Sequence, residues 1–244
     1  MKKLSRSSSL TDQAVELFRE AITSGELVAG ETYSASSLGE RIGVSRTPAR
    51  EALLQLARAG MIRIDKNKGA TILATTLTDL LEVFQLRLML EVPAAAKVAR
   101  TVSEAGMSRI LECFAHMQTA ADESDAEATL RADRDFHLEI MENAGNSKLV
   151  DVLENLRNLV LTRGVGTAPA ARSCQEVVDD HLDIVEAISA HDGPAAAAAM
   201  RRHIVNTAQL LISQEAGEIE EFDAAAVTAA LEWPNDYSGA AGRA

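Results

Sequence analysis

The chain has 244 residues, of which 47% are apolar, 25% charged and only 3% aromatic, a balance that suits a globular protein with an aliphatic, largely helical core and excludes a disordered chain. Its two cysteines, Cys113 and Cys174, cannot build a disulfide framework or a zinc finger and point to a reducing cytoplasm. No apolar run reaches the ~18 residues of a membrane span, and Met1-Lys2-Lys3 leads into serines rather than a hydrophobic signal region. The net charge of −12 argues against nucleic acid until it is divided: residues 1–75 carry +3 and the rest −15. A mildly basic head is joined to a strongly acidic body, which fits a small DNA-binding unit attached to something else.

Residues 1–9 are polar and serine-rich. A first helix is expected over 11–24, with Ala14, Leu17, Phe18, Ala21 and Ile22 on one face and Gly25 ending it. Gly30-Glu31-Thr32 reads as a turn, and a short helix over 36–42 carries Leu38 and Ile42 inward before Gly43. In the stretch 43–60, Ala49, Leu53 and Leu56 recur at i, i+4, i+7, the apolar stripe of a helix on a small core. Arg46 and Arg50 lie together off that stripe with Thr47 beside them. Ser45 or Thr47 can cap this helix, and Pro48 is tolerated because it falls in the first turn. Two guanidinium forks and a hydroxyl at one helix end supply the chemistry that reads guanine edges and grips phosphates. Two β-prone segments, 61–64 and 70–73, then bracket a turn carrying Lys66 and Lys68. Three helices and a basic-tipped hairpin describe a winged helix-turn-helix.

The order Ala-Ile-x-x-Gly-x-Leu, then Gly-Val-Ser-Arg-Thr-Pro-x-Arg-Glu-Ala-Leu, then a glycine-ended wing resembles the GntR family of bacterial transcription regulators. The resemblance covers roughly residues 10–75. It implies that Ser45, Arg46, Thr47 and Arg50 contact DNA and that Lys68 and Gly69 belong to the wing.

From residue 77 onward the pattern is helical throughout, with helices expected over 78–100, 103–122, 125–144, 147–163, 173–190 and 194–215. Breaks fall at Gly145, at Gly164-Val165-Gly166 and at Gly193-Pro194, and Pro93 is expected to kink the first helix. The fold class is therefore mainly α: an N-terminal winged helix-turn-helix with a small β-hairpin wing (10–75), followed by an all-α antiparallel bundle (77–215). Residues 216–244, acidic and alanine-rich with Trp233 near the end, read as a loosely held tail.

The bundle's polar residues fall on its apolar stripes. Leu130, Asp133, His137, Ile140 and Ala144 follow i, +3, +7, +10, +14; Val177, His181, Ile184 and Ile188 follow i, +4, +7, +11; Met200, His203 and Thr207 follow i, +3, +7. Three histidines and an aspartate thus point inward from three helices. Buried without partners they are costly, and a divalent metal held by Asp133, His137, His181 and His203 accounts for all four. Zinc heads the possible ions, with nickel, manganese and iron behind it. His116, off its stripe, and His191, ending a helix, stand apart from the set.

This half resembles the FCD domain, the all-helical ligand-binding domain of the FadR subgroup of GntR regulators. The resemblance rests on Leu86-Arg87-x-x-Leu90-Glu91, Asp133-Arg-Asp-Phe-His137, Asn143-Ala-Gly-Asn146, His181-x-x-Ile184, Ala187-Ile188 and His203. It implies that one aspartate and three histidines, in this order, are metal ligands, and it makes an acyl-CoA effector less apt. Arg87 shares a stripe with Leu80, Val83, Leu90 and Ala94. Its guanidinium is expected either in an ion pair with Glu91 or Asp133, or bidentate on the carboxylate of an effector. Asn155, partly inward on the next helix, is a second effector-binding candidate.

The sequence therefore describes a cytoplasmic transcription regulator, not an enzyme. It is expected to bind a near-palindromic double-stranded operator as a homodimer and to answer to a divalent metal and a small organic acid. Two alternatives stand beside this reading: a metalloenzyme using the Asp/His3 site, and a regulator for which the metal itself is the signal.

Overall fold

A computed structural model of the chain describes residues 9–65, 68–73, 77–161, 171–216 and 224–231. Lys66, the 164–166 loop and Trp233 lie outside those residues. Contacts divide the chain into two compact units, residues 1–75 with 155–165 and residues 76–154 with 166–244.

In the N-terminal unit, α1 (Leu10–Thr23) begins at a reciprocal cap: Ser9 Oγ accepts from the Asp12 backbone N–H and Asp12 Oδ2 accepts from that of Ser9, both at 3.1 Å. Its Ala14, Val15, Phe18 and Ile22 are buried, whereas Leu17 faces outward at 45% exposure, so the core-facing stripe is narrower than the expected one. After β1 (Thr32–Tyr33), α2 (Ala35–Ile42) starts at Ser34, whose hydroxyl accepts from Ser37 N–H at 3.0 Å. Gly43, at φ +75°, ends α2 and turns the chain into α3 (Arg46–Arg58). Strands β2 (Ile62–Asp65) and β3 (Gly69–Ile72) form the hairpin, with Ile62 opposite Ile72 and Asp65 opposite Gly69.

The sheet is antiparallel with order β1-β3-β2; the expected turn is present at Gly30-Glu31, closed by Glu31 N–H to Val28 O at 3.1 Å, but Thr32 already belongs to a strand. Thr32 and Tyr33 dock on the free edge of β3, and the Thr32 and Thr71 hydroxyls meet at 2.8 Å. That docking fixes the residue at position 69. Gly69 sits at φ +122°, and a Cβ there would lie 2.4 Å from the Tyr33 carbonyl oxygen. Phe18, Leu27, Leu38, Leu56, Met61 and Ile72 close the core of this unit. Each contributes roughly 1.5–3 kcal/mol relative to exposure.

The C-terminal unit is built from α4 (Leu77–Thr101), α5 (Glu104–Asp122), α6 (Ala126–Asn143), the start of α7 (Ser147–Leu161), α8 (Cys174–Ser189), α9 (Gly193–Ala216) and α10 (Ala224–Leu231). Helix α4 runs on through Pro93 as one helix and lies along α9, while α5 lies along α6 and α8 packs on both α9 and α5. The remaining contacts, α4 with α6 and α8 and α6 with α8, draw α4, α6, α8 and α9 around one interior point. On α4 the inward position next to Leu88 is Glu91, fully buried, rather than Leu90.

The described part of the acidic tail is a helix rather than loose chain. On α10, Leu231 is buried, Gln85 Nε2 donates to Ala230 O at 2.7 Å, and Gln209 Nε2 donates to Thr228 Oγ1 at 2.6 Å. Val227 and Leu231, one turn apart, supply the short apolar stripe by which an alanine-rich segment packs on α4 and α9.

Candidate metal centre and DNA-reading helix

Asp133 and His137 sit one turn apart on α6, His181 on α8 and His203 on α9, and all four are buried. One ligand atom from each lies within 4.8 Å of the other three. His137 Nε2 is 3.2 Å from His181 Nε2 and 3.1 Å from His203 Nε2, and Asp133 Oδ1 is 3.0 Å from His181 Nε2 and 3.8 Å from His137 Nε2. Phe136 walls the cluster, its ring edge-on to His137 and His181 at 5.8 and 5.3 Å. The four side chains grouped from helical spacing alone are thus brought to one point.

The opposite edge of each imidazole has an oxygen behind it. His137 Nδ1 is 2.5 Å from Glu91 Oε2, His181 Nδ1 is 2.7 Å from the Val177 carbonyl, and His203 Nδ1 is 2.9 Å from Asp180 Oδ2. A carboxylate or carbonyl oxygen only accepts, so each Nδ1 carries a proton, and a ring that is neutral then turns its Nε2 lone pair toward the others and Asp133. Burial, with His181 and His137 close by, lowers the His203 pKa to about 3 against the pull of Asp180, so this ring is neutral at physiological pH. Burial would raise the Asp180 carboxyl, but the hydrogen bond from His203 and the Arg172 guanidinium at 2.9 Å hold it well below the usual carboxylate range.

Convergent lone pairs in an apolar shell repel unless a cation joins them. Ligand atoms each about 2.0–2.1 Å from one ion lie roughly 2.8–3.4 Å apart, from octahedral to tetrahedral arrangements. The spacings of 3.0, 3.1 and 3.2 Å fall in that range while Asp133 Oδ1 to His137 Nε2 is longer at 3.8 Å, and three imidazoles with one carboxylate make a donor set suited to a divalent transition metal. The residues fit the ion.

Arg87 lies one turn from Glu91 on α4 and donates through Nε to Glu91 Oε1 at 2.6 Å, so the ion pair with Glu91 is present. Its guanidinium sits 5.2 Å over the Phe84 ring, and its Nη2 is buried with no hydrogen-bond partner among the described residues. The Thr207 hydroxyl, one turn beyond His203, is likewise buried and unpartnered. Asn155 is exposed on α7, between the buried Leu153 and Leu156. His116 is exposed, and His191 caps α8 in a left-handed conformation, φ 58°, with Nδ1 2.9 Å from Ala99 O.

In the N-terminal unit, Ser45, Arg46, Thr47 and Arg50 are all exposed at the start of α3, opposite the buried Ala49, Leu53 and Leu56. Ser45 occupies the N-cap position, yet its hydroxyl makes no capping bond and stays available. Neither arginine is paired among the described residues. Lys68 is exposed beside the wing turn. Sequence reasoning missed Arg63, exposed on β2 and held by Asp65 at 3.0 Å; that arginine and Thr71 together keep the Asp65 carboxyl below its ordinary range. It also missed Glu91 and Asp180 as supports for the histidines.

Residues 10–72 match the family model of the gntR family of bacterial regulatory proteins, and residues 82–206 match the FCD domain. The chain belongs to the GntR family and carries an FCD domain. This GntR regulator is a DNA-binding transcription regulator and not an enzyme, which removes the metalloenzyme alternative. It is similar to the transcriptional regulator LutR of Bacillus subtilis, 28% identical over 211 residues that span 78% of this chain and 95% of that protein. It is also similar to the gluconate operon transcriptional repressor of Bacillus licheniformis, 29% identical over 199 residues, 78% of this chain and 80% of that one. Among solved structures, E. coli McbR/YncC superposes with a TM-score of 0.72 at 22% identity, covering 86% of this chain and all (100%) of its own. A GntR regulator from Rhodococcus superposes with a TM-score of 0.68 at 20% identity, covering 83% and 98%. These two share the fold.

Proposed function

We propose that this GntR regulator is a cytoplasmic repressor that binds a near-palindromic operator as a homodimer and is controlled by a small carboxylate recognised at a metal in its FCD domain. The observation that carries the reading is the convergence of three Nε2 lone pairs and Asp133 Oδ1 on one buried point. Asp133, His137, His181 and His203 would hold the ion, zinc by preference for a nitrogen-rich donor set, with nickel, manganese or iron as rivals.

The charge balance selects the ligand class. A divalent ion on three neutral imidazoles and one carboxylate leaves one net positive charge, while Arg87 and Glu91 neutralise each other nearby. An anionic oxygen donor completes such a site at the least electrostatic cost, and Arg87 Nη2 offers its carboxylate a second anchor. The similarity to a gluconate operon repressor is in keeping with an organic acid.

On the DNA side, Arg46 and Arg50 would read base edges in the major groove, with Ser45, Thr47 and the wing at Lys68 and Gly69 on the phosphates. The effector acts by binding the DNA-competent and incompetent dimers with different affinity. The test is fluorescence anisotropy of an operator fragment with zinc-loaded protein against a panel of carboxylates that includes gluconate. A carboxylate that changes operator affinity by about 5- to 150-fold supports the reading. A response to zinc that no acid modifies would instead favour direct metal sensing.

A further inference from the structure

The three histidines of the candidate centre are supported unequally. His181 Nδ1 faces the Val177 backbone carbonyl at 2.7 Å, an acceptor that no side-chain substitution removes. His203 Nδ1 faces Asp180 Oδ2 at 2.9 Å, and that same oxygen also accepts from Arg172 Nη1 at 2.9 Å. Asp180 retains 19% side-chain exposure and lines an outer cleft with Arg172, Asn206 and Gln209, within reach of water. His137 Nδ1 faces Glu91 Oε2 at 2.5 Å, while the other oxygen, Oε1, takes the proton of Arg87 Nε at 2.6 Å. Glu91, His137 and Arg87 are closed to solvent, with side-chain exposures of 0%, 0% and 4%.

We propose that Glu91 is the positioning residue of the metal centre: it fixes His137 as the Nδ1–H tautomer in the metal-free protein, so that Nε2 meets an arriving ion as a bare lone pair. The inference rests on the metal reading for its functional sense. The tautomer itself is a property of the metal-free chain.

Donors and acceptors around Glu91 balance in only one way. Arg87 can only donate, and His137 Nδ1 must donate if Nε2 is to stay free. Glu91 meets both demands because each oxygen serves a different donor. A glutamine in its place has one oxygen and one NH2 group. Turning its NH2 toward the Arg87 guanidinium sets donor against cation in a sealed site, so the oxygen goes to Arg87 and the NH2 points at His137. His137 Nδ1 must then accept, its proton moves to Nε2, and the atom that should hold the metal is blocked. Asp180 follows different arithmetic. One oxygen serves both Arg172 and His203, so Asp180→Asn can keep its oxygen in that position and leave the His203 tautomer as it is. Both substitutions remove one negative charge next to one ligand histidine, and only Glu91→Gln is required to invert a ring. A purely electrostatic or packing role does not separate them in this way.

The experiment is a long-range proton–nitrogen NMR spectrum of the imidazoles in full-length, chelator-treated protein, followed by zinc titration against a chromophoric chelator. The wild type is expected to show His137 as Nδ1–H. Glu91→Gln is expected to show it as Nε2–H, with zinc affinity lower by roughly 10- to 100-fold, the usual effect of losing a ligand's hydrogen-bond partner. Asp180→Asn is expected to keep His203 as Nδ1–H and to lose less affinity than Glu91→Gln. An Nε2–H His137 in the metal-free wild type overturns the proposal, and so does a Glu91→Gln protein that keeps the Nδ1–H tautomer. If Glu91→Gln does not fold, the wild-type spectrum decides alone. If the wild type binds no zinc, the metal reading fails while the tautomer still decides this inference.

Discussion

Arg87 and Glu91 stand one turn apart on α4 and meet at 2.6 Å, with both side chains shut off from water. The pair is neutral as a unit, and Glu91 also accepts from His137 Nδ1 at 2.5 Å. Replacing Arg87 by methionine keeps much of the volume and removes the cation paired with the buried Glu91 carboxylate. Urea denaturation of metal-free Arg87→Met should show stability lower by about 3–5 kcal/mol, the range for breaking a buried ion pair from one side. A loss under about 1 kcal/mol, the level of an exposed pair, would mean that water reaches the site.

At the DNA-reading end, Arg50→Ala removes a guanidinium that is exposed and unpaired among the described residues, so the fold should be indifferent to it. If Arg50 makes bidentate contact with a guanine, operator affinity should fall by about 1–3 kcal/mol and the preference at that base should relax. Lys68→Ala should weaken binding evenly across sequences and reduce the salt slope by about 1. Anisotropy titrations at several salt concentrations separate the two. Equal losses on operator and scrambled DNA for Arg50→Ala would reassign Arg50 from base reading to phosphate grip.

The wing depends on Gly69. At φ +122°, and with the Tyr33 carbonyl 2.4 Å from where a Cβ would sit, alanine must push β1 off the edge of β3. Gly69→Ala should lower stability by about 1–3 kcal/mol and expose the β1–β3 amides to hydrogen exchange, while the bundle amides stay protected. Unchanged exchange at Ile72 and Gly30, whose amides bond to Glu31 O and Ile72 O across this edge, would show that β1 is not needed to hold the wing.

Cys113 gives a pH-dependent check on the bundle. Burial, then the acidic side chains of Glu139, Asp135, Glu112 and Glu142, raises its thiol from 9.0 to about 11. The thiolate is the nucleophile, so alkylation of Cys113 should stay slow through pH 9 and reach its midpoint near pH 11. Peptide-resolved mass spectrometry after iodoacetamide treatment distinguishes it from Cys174. A midpoint near 9 would place Cys113 in ordinary solvent.

Helical spacing alone placed Asp133, His137, His181 and His203 on inward stripes, because ligands that must face one interior point repeat with the period of the core. The positions of the six helices 78–215 followed from the same period, and three of the breaks between them from Gly145, Gly164-Val165-Gly166 and Gly193. Glu91 carried a comparable signal: it falls eight residues after Val83 and four after Arg87 on the buried face. The neighbouring Leu90 masks that signal, since a leucine is the usual occupant of such a face. Asp180 carried none. It precedes His181 by one residue and so points about a quarter-turn away from it, toward a histidine on another helix that local pattern cannot reveal. Strand β1 was hidden for a related reason. A two-residue strand has no period to read, and Thr32 and Tyr33 become a strand only through pairing with residues about forty positions later.

The proposed control of operator binding stands on the buried quartet holding one metal ion. The most direct test of that binding is elemental analysis of protein stripped with a chelator, reloaded with zinc and desalted, for the wild type, His181→Ala and His116→Ala. One zinc per chain is expected in the wild type and in His116→Ala, and little or none in His181→Ala. Zinc absent from the wild type, or retained equally by His181→Ala, would contradict it.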